Sequence, residues 1–161
     1  MSDSQPDLYY QKVQQGQQLP AFHFEVTTTG IIAGALASRD YSPLHHDKAY
    51  ATEQAGHADI FLNTPQQAAF FERYLNDWSG PKGRIGRMKF TMKSSVYAGS
   101  RISIAGEVIE RAVDKLDCAW VGLLLRMTVG GVLTTESRVR YALARDATDN
   151  PWRRENEDWI P

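Results

Sequence analysis

Alternating hydrophobic and polar positions predict five β-strands in this chain. A period of two is typical of strands with one buried face. It recurs in one early stretch and in four later ones: Ala21–Thr27, Arg84–Met92, Arg101–Arg111, Ala119–Val129 and Val132–Leu143. Met88, Phe90 and Met92 are expected to face inward, as is Leu133 in the last strand. Gly130-Gly131 between the last two strands predicts a tight hairpin.

A wide apolar stripe over about residues 64–78 predicts one long helix, buried on most of its surface. Thr64 is expected as its N-cap, with Pro65 at the first helical position, and Gly80-Pro81 ends it. Two shorter helices are predicted at Ile31–Ala37 and Lys48–Ala55, the second capped by Asp47.

This order of elements favours an α+β fold in a single domain, with a long antiparallel sheet and a central helix. The domain is assigned to residues 21–145, after an N-terminal arm at 1–20. A charged C-terminal tail follows at 146–161. Its two tryptophans, Trp152 and Trp159, favour packing against something, and the tail is a candidate interface segment.

Composition narrows the possible partners. The chain has 161 residues with a net charge of −1, which gives no overall attraction to nucleic acid or anionic lipid. Cys118 is the only cysteine and cannot form an internal disulfide. The N-terminus lacks a secretory pattern and no stretch approaches ~18 apolar residues, so a cytoplasmic location is expected.

The segment Arg39–Asp47 is the candidate site. Asp40 and His45 are separated by Pro43, which excludes one regular helix face and predicts a loop that directs carboxylate and imidazole to one point. Such a pair suits proton transfer, since imidazole titrates near neutrality and a partly buried carboxyl can be tuned toward it. The alternative is that Asp40 caps the following turn and His45 is a hydrogen-bonded loop residue.

Within this order of elements, the segment resembles the signature of MaoC-like hot-dog proteins, G-D-x-N-P-(I/L)-H-x-D in the (R)-specific enoyl-CoA hydratases. Four positions match in register: Asp40, Pro43, His45 and Asp47. Arg39 replaces the glycine and Ser42 the asparagine. The resemblance covers residues 20–145 and implies a hot-dog fold, with the sheet wrapped around the central helix.

Separated segments are more specifically similar to the small catalytic subunit of steroid side-chain enoyl-CoA hydratases: Ala37–Tyr41, His45–Asp47, Asp59–Asn63 and residues 73–81. That resemblance implies a heterotetramer with a second MaoC-like chain that lacks the Asp/His pair. The second chain helps to form the substrate site and often carries a domain that binds a thiolase-type aldolase. No cofactor is implied beyond the coenzyme A of the substrate.

The resemblance also implies residue roles. Asp40 and His45 would hold the water and share the acid and base steps, with the division between them open. The oxyanion donor is expected as a backbone N–H near Asn63 and Thr64, where the family commonly has a His-Gly pair. Ser42 would order the loop as the family asparagine does, or form a simple Ser-Pro turn.

A local basic cluster follows the central helix, and Arg84, Arg87 and Lys89 are its candidate contacts to the phosphates of coenzyme A. An ordinary solvated strand face is an equal alternative. No metal site is expected, because the adjacent His45 and His46 point apart and no cysteine or HExxH pattern supports them.

The sequence therefore favours a hydratase subunit that acts on a bulky enoyl-CoA, most specifically one on a steroid side chain. Two alternatives stay open: a homodimeric MaoC-like hydratase or dehydratase for fatty acyl chains, and a non-catalytic hot-dog subunit that binds acyl-CoA or serves as a scaffold. The intact Asp40/His45 pair argues against the scaffold. A thioesterase is disfavoured, since Glu72, its candidate acid on the helix, lies among apolar neighbours.

Overall fold

Five antiparallel strands form one sheet in the computed structural model, which describes residues 7–161. The strands are β1 (Gln18–Glu25), β2 (Arg84–Met92), β3 (Arg101–Val113), β4 (Ala119–Val129) and β5 (Val132–Ala142). Their spatial order is β1-β3-β4-β5-β2, so β1 and β2 are the edges. The period-two prediction is confirmed for all five, and the bounds of β2 and β4 agree with it. β1 begins earlier than predicted, inside the arm assigned to residues 1–20, of which 1–6 lie outside the described residues.

The long helix α2 (Thr64–Ser79) packs against the inner face of the sheet. Phe71 and Leu75 are fully buried, and the Phe71 ring lies 6.2 Å from that of Phe90 on β2. Tyr74 lies near Gly106 on β3, where a larger residue would clash with Leu125 of β4, 2.7 Å from the position of an added Cβ. The α+β class, with the sheet around a buried helix, is therefore confirmed.

The cap of α2 differs from the prediction. Asn63, not Thr64, is the N-cap, because its side-chain oxygen accepts a hydrogen bond from the Gln66 N–H at 3.0 Å. Thr64 is the first helical residue and Pro65 follows it in the first turn. The helix ends at Gly80, whose φ of +76° is accessible to glycine at little cost.

The two shorter helical segments lead into and out of the candidate site. α1 (Thr28–Ala37) starts before the predicted Ile31 because the Thr27 side chain caps it. After the site, the predicted helix is a π-type turn at Tyr50–Gln54. Asp47 caps the helical segment that begins at Lys48 and leads into this turn, as predicted, and accepts from the Tyr50 N–H at 3.0 Å.

Two positions predicted to face the core are less buried than expected. Met92 is 48% exposed, because it is the last residue of an edge strand and is covered only on the side of α2. Leu133 is half-buried beside the β4–β5 hairpin. Farther along β5, the inward positions include the polar residues Thr135 and Ser137, both fully buried.

The C-terminal tail lies on the sheet face opposite α2. Trp159 packs on Trp120 of β4 with ring centroids 4.9 Å apart, beside Cys118 and Ala142. Trp152 is 54% exposed. Its Nε1 nevertheless donates to the Gly83 carbonyl at 3.1 Å. Both tail tryptophans thus contact the rest of the chain, while an interface role for the tail stays a prediction. Residues 7–161 include no helix long and apolar enough to cross a membrane.

Candidate active site

The Arg39–Asp47 loop folds back on itself and brings Asp40 and His45 together. α1 ends at Ala37, and Arg39 then takes a left-handed conformation with φ of +54°. This value explains the glycine at that position of the signature, since only glycine adopts such a φ without strain. A single 3-10 turn, Pro43–His45, returns the chain, and His45 Nε2 lies 3.4 Å from Asp40 Oδ2.

A main-chain carbonyl sets the orientation of His45. Its Nδ1 lies 2.8 Å from the carbonyl oxygen of Phe61, and the imidazole is buried. A carbonyl only accepts, so Nδ1 carries the proton and Nε2 of the neutral ring presents a lone pair toward Asp40. The Phe61 ring meets the imidazole edge-on at 5.0 Å, and Phe61 itself is held by a β-bridge to Tyr97.

The Asp40 carboxylate is held by two donors. Desolvation acts to raise its pKa, but the Asn63 side-chain amide, the Ser42 N–H and the facing histidines outweigh it, so the pKa lies below the ordinary 3.8. The two hydrogen bonds are 3.1 Å from Asn63 Nδ2 to Oδ2 and 3.2 Å from the Ser42 N–H to Oδ1. The prediction that burial shifts the pKa of Asp40 upward, toward neutral pH, is therefore wrong in direction, because these donors favour the charged form.

This geometry leaves two acceptors directed at one point. When the imidazole is neutral, the Asp40 carboxylate and the open Nε2 of His45 both present lone pairs, and neither has a proton to give to the other. Their separation of 3.4 Å is longer than a direct charge-assisted hydrogen bond. A water molecule that donates one hydrogen to each satisfies both groups, and is thereby positioned for deprotonation.

Asn63 connects the site to the scaffold. It is 2% exposed, and its oxygen caps α2 while its amide donates to Asp40 and, at 2.8 Å, to Ser38 Oγ. Ser38 in turn donates to the Gly34 carbonyl at 2.8 Å, so the ends of α1 and α2 are joined at the carboxylate. Ser38 was not among the predicted residues. Its position directly before the loop was the available signal.

The other predicted residues around the loop have different positions. Ser42 contacts Asp40 through its backbone N–H, and its side chain caps nothing. Thr64 is the first residue of α2, where a backbone N–H has no intrahelical acceptor, and its oxyanion role stays a prediction. His46 is exposed, and His57 lies against the Phe61 ring at 4.6 Å, behind His45.

Arg84, the first residue of the basic row on β2, is not brought to the Asp40–His45 pair. Arg84 donates to the Pro151 and Arg154 carbonyls at 3.0 and 2.9 Å, and its guanidinium lies 3.7 Å from the Trp159 ring centroid. At ~3.3 Å per residue, Arg84 is about 26 Å along the strand from Met92, which contacts the start of α2.

Arg87, next along the row, donates to the Pro161 carbonyl at 3.0 Å. Lys89 is exposed. Contact of these three residues with coenzyme A stays a prediction.

Comparisons with known proteins identify relatives of this chain. No family model matches the chain. It is 34% identical over 93 residues to the 3-oxo-4,17-pregnadiene-20-carboxyl-CoA hydratase beta subunit of Mycobacterium tuberculosis, a match that covers 58% of this chain and 71% of that one.

Solved structures share the fold. A chain of the ChsH1–ChsH2 complex from Mycobacterium tuberculosis superposes with a TM-score of 0.73 and 27% identity, covering 81% of this chain and 98% of that one. The (R)-hydratase from A. caviae involved in PHA biosynthesis gives 0.71 at 22% identity over 83% and 98% of the two chains. The MaoC-like dehydratase from Rhodospirillum rubrum gives 0.76 at 17% identity over 86% and 98%. The chain therefore belongs to the MaoC-like enoyl-CoA hydratase family and has its hot-dog fold.

Proposed function

We propose that this chain is the catalytic subunit of a hydro-lyase that adds water across the trans-2 double bond of a bulky enoyl-CoA thioester. The observation that carries the proposal is the 3.4 Å approach of Asp40 and His45, each held from behind so that its free acceptor faces the other. The proposed substrate is a steroid side-chain enoyl-CoA. The named relative, a pregnadiene-carboxyl-CoA hydratase subunit, supports this choice.

In the proposed reaction the water between the two residues supplies both added groups. The hydrogen bonds that lower the pKa of Asp40 make its carboxylate a weaker base, so Asp40 orients the water and the open Nε2 of His45 accepts its proton. The hydroxide oxygen bonds to the β-carbon, the C=C π pair moves toward the thioester, and the proton on His45 passes to the α-carbon. An N–H at the start of α2 would stabilise the transient enolate oxygen.

A second MaoC-like subunit is the proposed partner, and a thiolase-type aldolase a further one. Similarity to a chain of a two-component complex supports the first. We place the reaction in the cytoplasm, in steroid side-chain degradation of the β-oxidation type, with coenzyme A entering only as part of the substrate. A chain that is active alone as a homodimer on a short, unbranched enoyl-CoA would contradict the hetero-oligomer.

The test is hydration of a trans-2-enoyl-CoA, followed by loss of the conjugated enoyl absorbance, with Asp40→Asn and His45→Ala variants. Each is expected to lose about 10²- to 10⁴-fold in kcat, the range for one acid–base group. His46→Ala is the matched control, since His46 is the exposed neighbour of His45. Near wild-type turnover in either site variant, with normal melting, would overturn the proposal.

A further inference from the structure

A cavity of about 230 Å³ lies against Phe61 and the first turn of α2, the two elements that hold His45 and Asp40 in place. Its lining consists of Phe61, Leu62, Gln67, Met92, Lys93, Ser94 and Ser95. Two residues tie it to the site. Phe61 is one wall, and its carbonyl orients His45. Gln67 stands one helical turn after Asn63, which is the N-cap of α2 and the donor to Asp40.

Gln67 is a polar exception among the buried residues of α2. It is 1% exposed, whereas the next inward positions of the helix are Phe71 and Leu75. Its Oε1 accepts a hydrogen bond from Thr135 Oγ1 at 2.6 Å, and Thr135 is itself fully buried. A leucine would fill this position without the cost of desolvating an amide.

The amide nitrogen of Gln67 has no strong partner. Among the described residues, the acceptor that its Nε2 meets is the Met92 thioether sulfur at 3.4 Å. A thioether is a weak acceptor, so a buried NH₂ group retains donor capacity on the side of the cavity. The flipped amide would place its oxygen against the sulfur lone pairs and is disfavoured. The cavity thus has a donor without a matching acceptor.

We propose that Gln67 Nε2 donates a hydrogen bond to an oxygen carried on the acyl group of the substrate, so that the cavity selects keto-bearing enoyl-CoA esters over plain hydrocarbon ones. This inference rests on the proposed function, because it places an enoyl thioester at Asp40 and His45. A keto oxygen only accepts and therefore matches an NH₂ donor. The Met92 side chain can move aside to let a keto oxygen reach Gln67 Nε2, since it is flexible and 48% exposed.

The experiment compares wild type with Gln67→Leu in the assembly in which the chain is purified. The probes are a straight-chain trans-2-enoyl-CoA and a series of the same ester with a keto group at successive positions of the acyl chain. Wild type is expected to prefer at least one keto ester by about tenfold or more in kcat/KM. Gln67→Leu should reduce that ratio to about one, with the plain ester changed less than about threefold.

The matched control is Gln54→Leu, the same replacement at an exposed glutamine in the π-type turn, which should leave the ratio unchanged. If Gln67→Leu does not fold, Gln67→Met removes the amide with less change of shape and carries the same expectation. Absence of a keto preference in wild type, or an unchanged ratio in the variant, overturns the inference. An equal loss on all esters also overturns it, because Gln67 would then act on the common thioester. Hydration of no ester by wild type refutes the proposed function itself.

Discussion

Charged and aromatic side chains cluster in two regions of this molecule. The two regions differ in how much hydrogen-bond capacity remains free for a ligand. In the cluster of Arg84 with the C-terminal tail, the guanidinium donates to two tail carbonyls and contacts the faces of the Trp152 and Trp159 rings. In the loop, hydrogen bonds to Asn63 and to the Phe61 carbonyl hold Asp40 and His45 in place. Their remaining acceptor atoms face each other at 3.4 Å.

The comparison teaches that density of charge does not identify a site. The basic row on β2 was a reasonable candidate for coenzyme A, yet Arg84 and Arg87 are engaged by carbonyls of the chain's own tail. The loop has fewer charges, but its acceptors remain available to a ligand. Remaining hydrogen-bond capacity in a fixed position is the more useful criterion.

The largest effect that tests this contrast is expected for Asn63→Ala. Loss of the donor to Asp40 should lower kcat about 10- to 100-fold, the range for a hydrogen bond to a charged group. Loss of the cap should cost about 1 kcal/mol of unfolding free energy. Thr27→Ala, which removes the cap of α1 away from the carboxylate, should match the stability loss and retain activity. Equal activity in the two variants would contradict the role given to Asn63.

The same variant should change the pH dependence. Without the Asn63 donor the pKa of Asp40 rises, because desolvation then meets less opposition. The stability that the ionised Asp40 contributes is therefore expected to be smaller in the variant, and the difference in unfolding free energy between the two proteins should shrink as pH falls below 3.8. In wild type, the lowered pKa of Asp40 contributes stability that is present above the ordinary value of 3.8 and is lost as pH falls below it. A difference in unfolding free energy that stays constant from about pH 7 to below about pH 3 would count against this account.

Arg84→Ala should show the opposite signature, a loss of stability with little change in turnover. Removing the stacking and the two hydrogen bonds to the tail is expected to cost about 1–2 kcal/mol. Thermal melting and kcat of the same preparation measure the two effects. A selective rise in KM for the CoA ester, with unchanged melting, would instead place Arg84 in substrate binding.

Lys89→Ala tests the exposed member of the basic row and should have a smaller effect. Lys89 is solvent-exposed, so its contact with a coenzyme A phosphate would be worth a two- to fivefold rise in KM, about the value of an exposed ion pair. The effect should diminish at high salt. Lys115→Ala, at an exposed turn outside β2, is the control. An unchanged KM at low salt would indicate that Lys89 lies on an ordinary solvated strand face and does not contact coenzyme A.

The smallest effect is expected for Arg39→Gly. Glycine should relieve the strain of the left-handed conformation and stabilise the fold by about 0.5–1 kcal/mol in denaturant unfolding. Asn156→Gly is the comparison, because Asn156 also has a positive φ but asparagine tolerates it better. A destabilised Arg39→Gly protein would show that the arginine side chain makes a contribution of its own.

Much of the fold could be predicted because its signals are local. The period-two pattern located the strands, and the stripe of α2 located its buried helix. The choice between Asn63 and Thr64 as cap could not be predicted, since both residue types cap well and the contacts to Asp40 and Ser38 decide it. The direction of the Asp40 pKa and the docking of Trp159 on Trp120 also depend on residues distant in sequence.

The carbonyl that orients His45 has a consequence for mutagenesis and for comparison of homologues. It belongs to the main chain at Phe61, so no substitution at that position deletes it. Saturation mutagenesis at position 61 would test the packing of the ring against His45, but it would not remove the hydrogen bond that fixes the proton on Nδ1. A one-residue insertion between Phe61 and Asn63 would move the Phe61 carbonyl out of reach of His45 Nδ1, although every residue of the signature would still be present in the sequence. The tautomer of His45 therefore depends on the backbone conformation at Phe61, which a sequence alignment does not show.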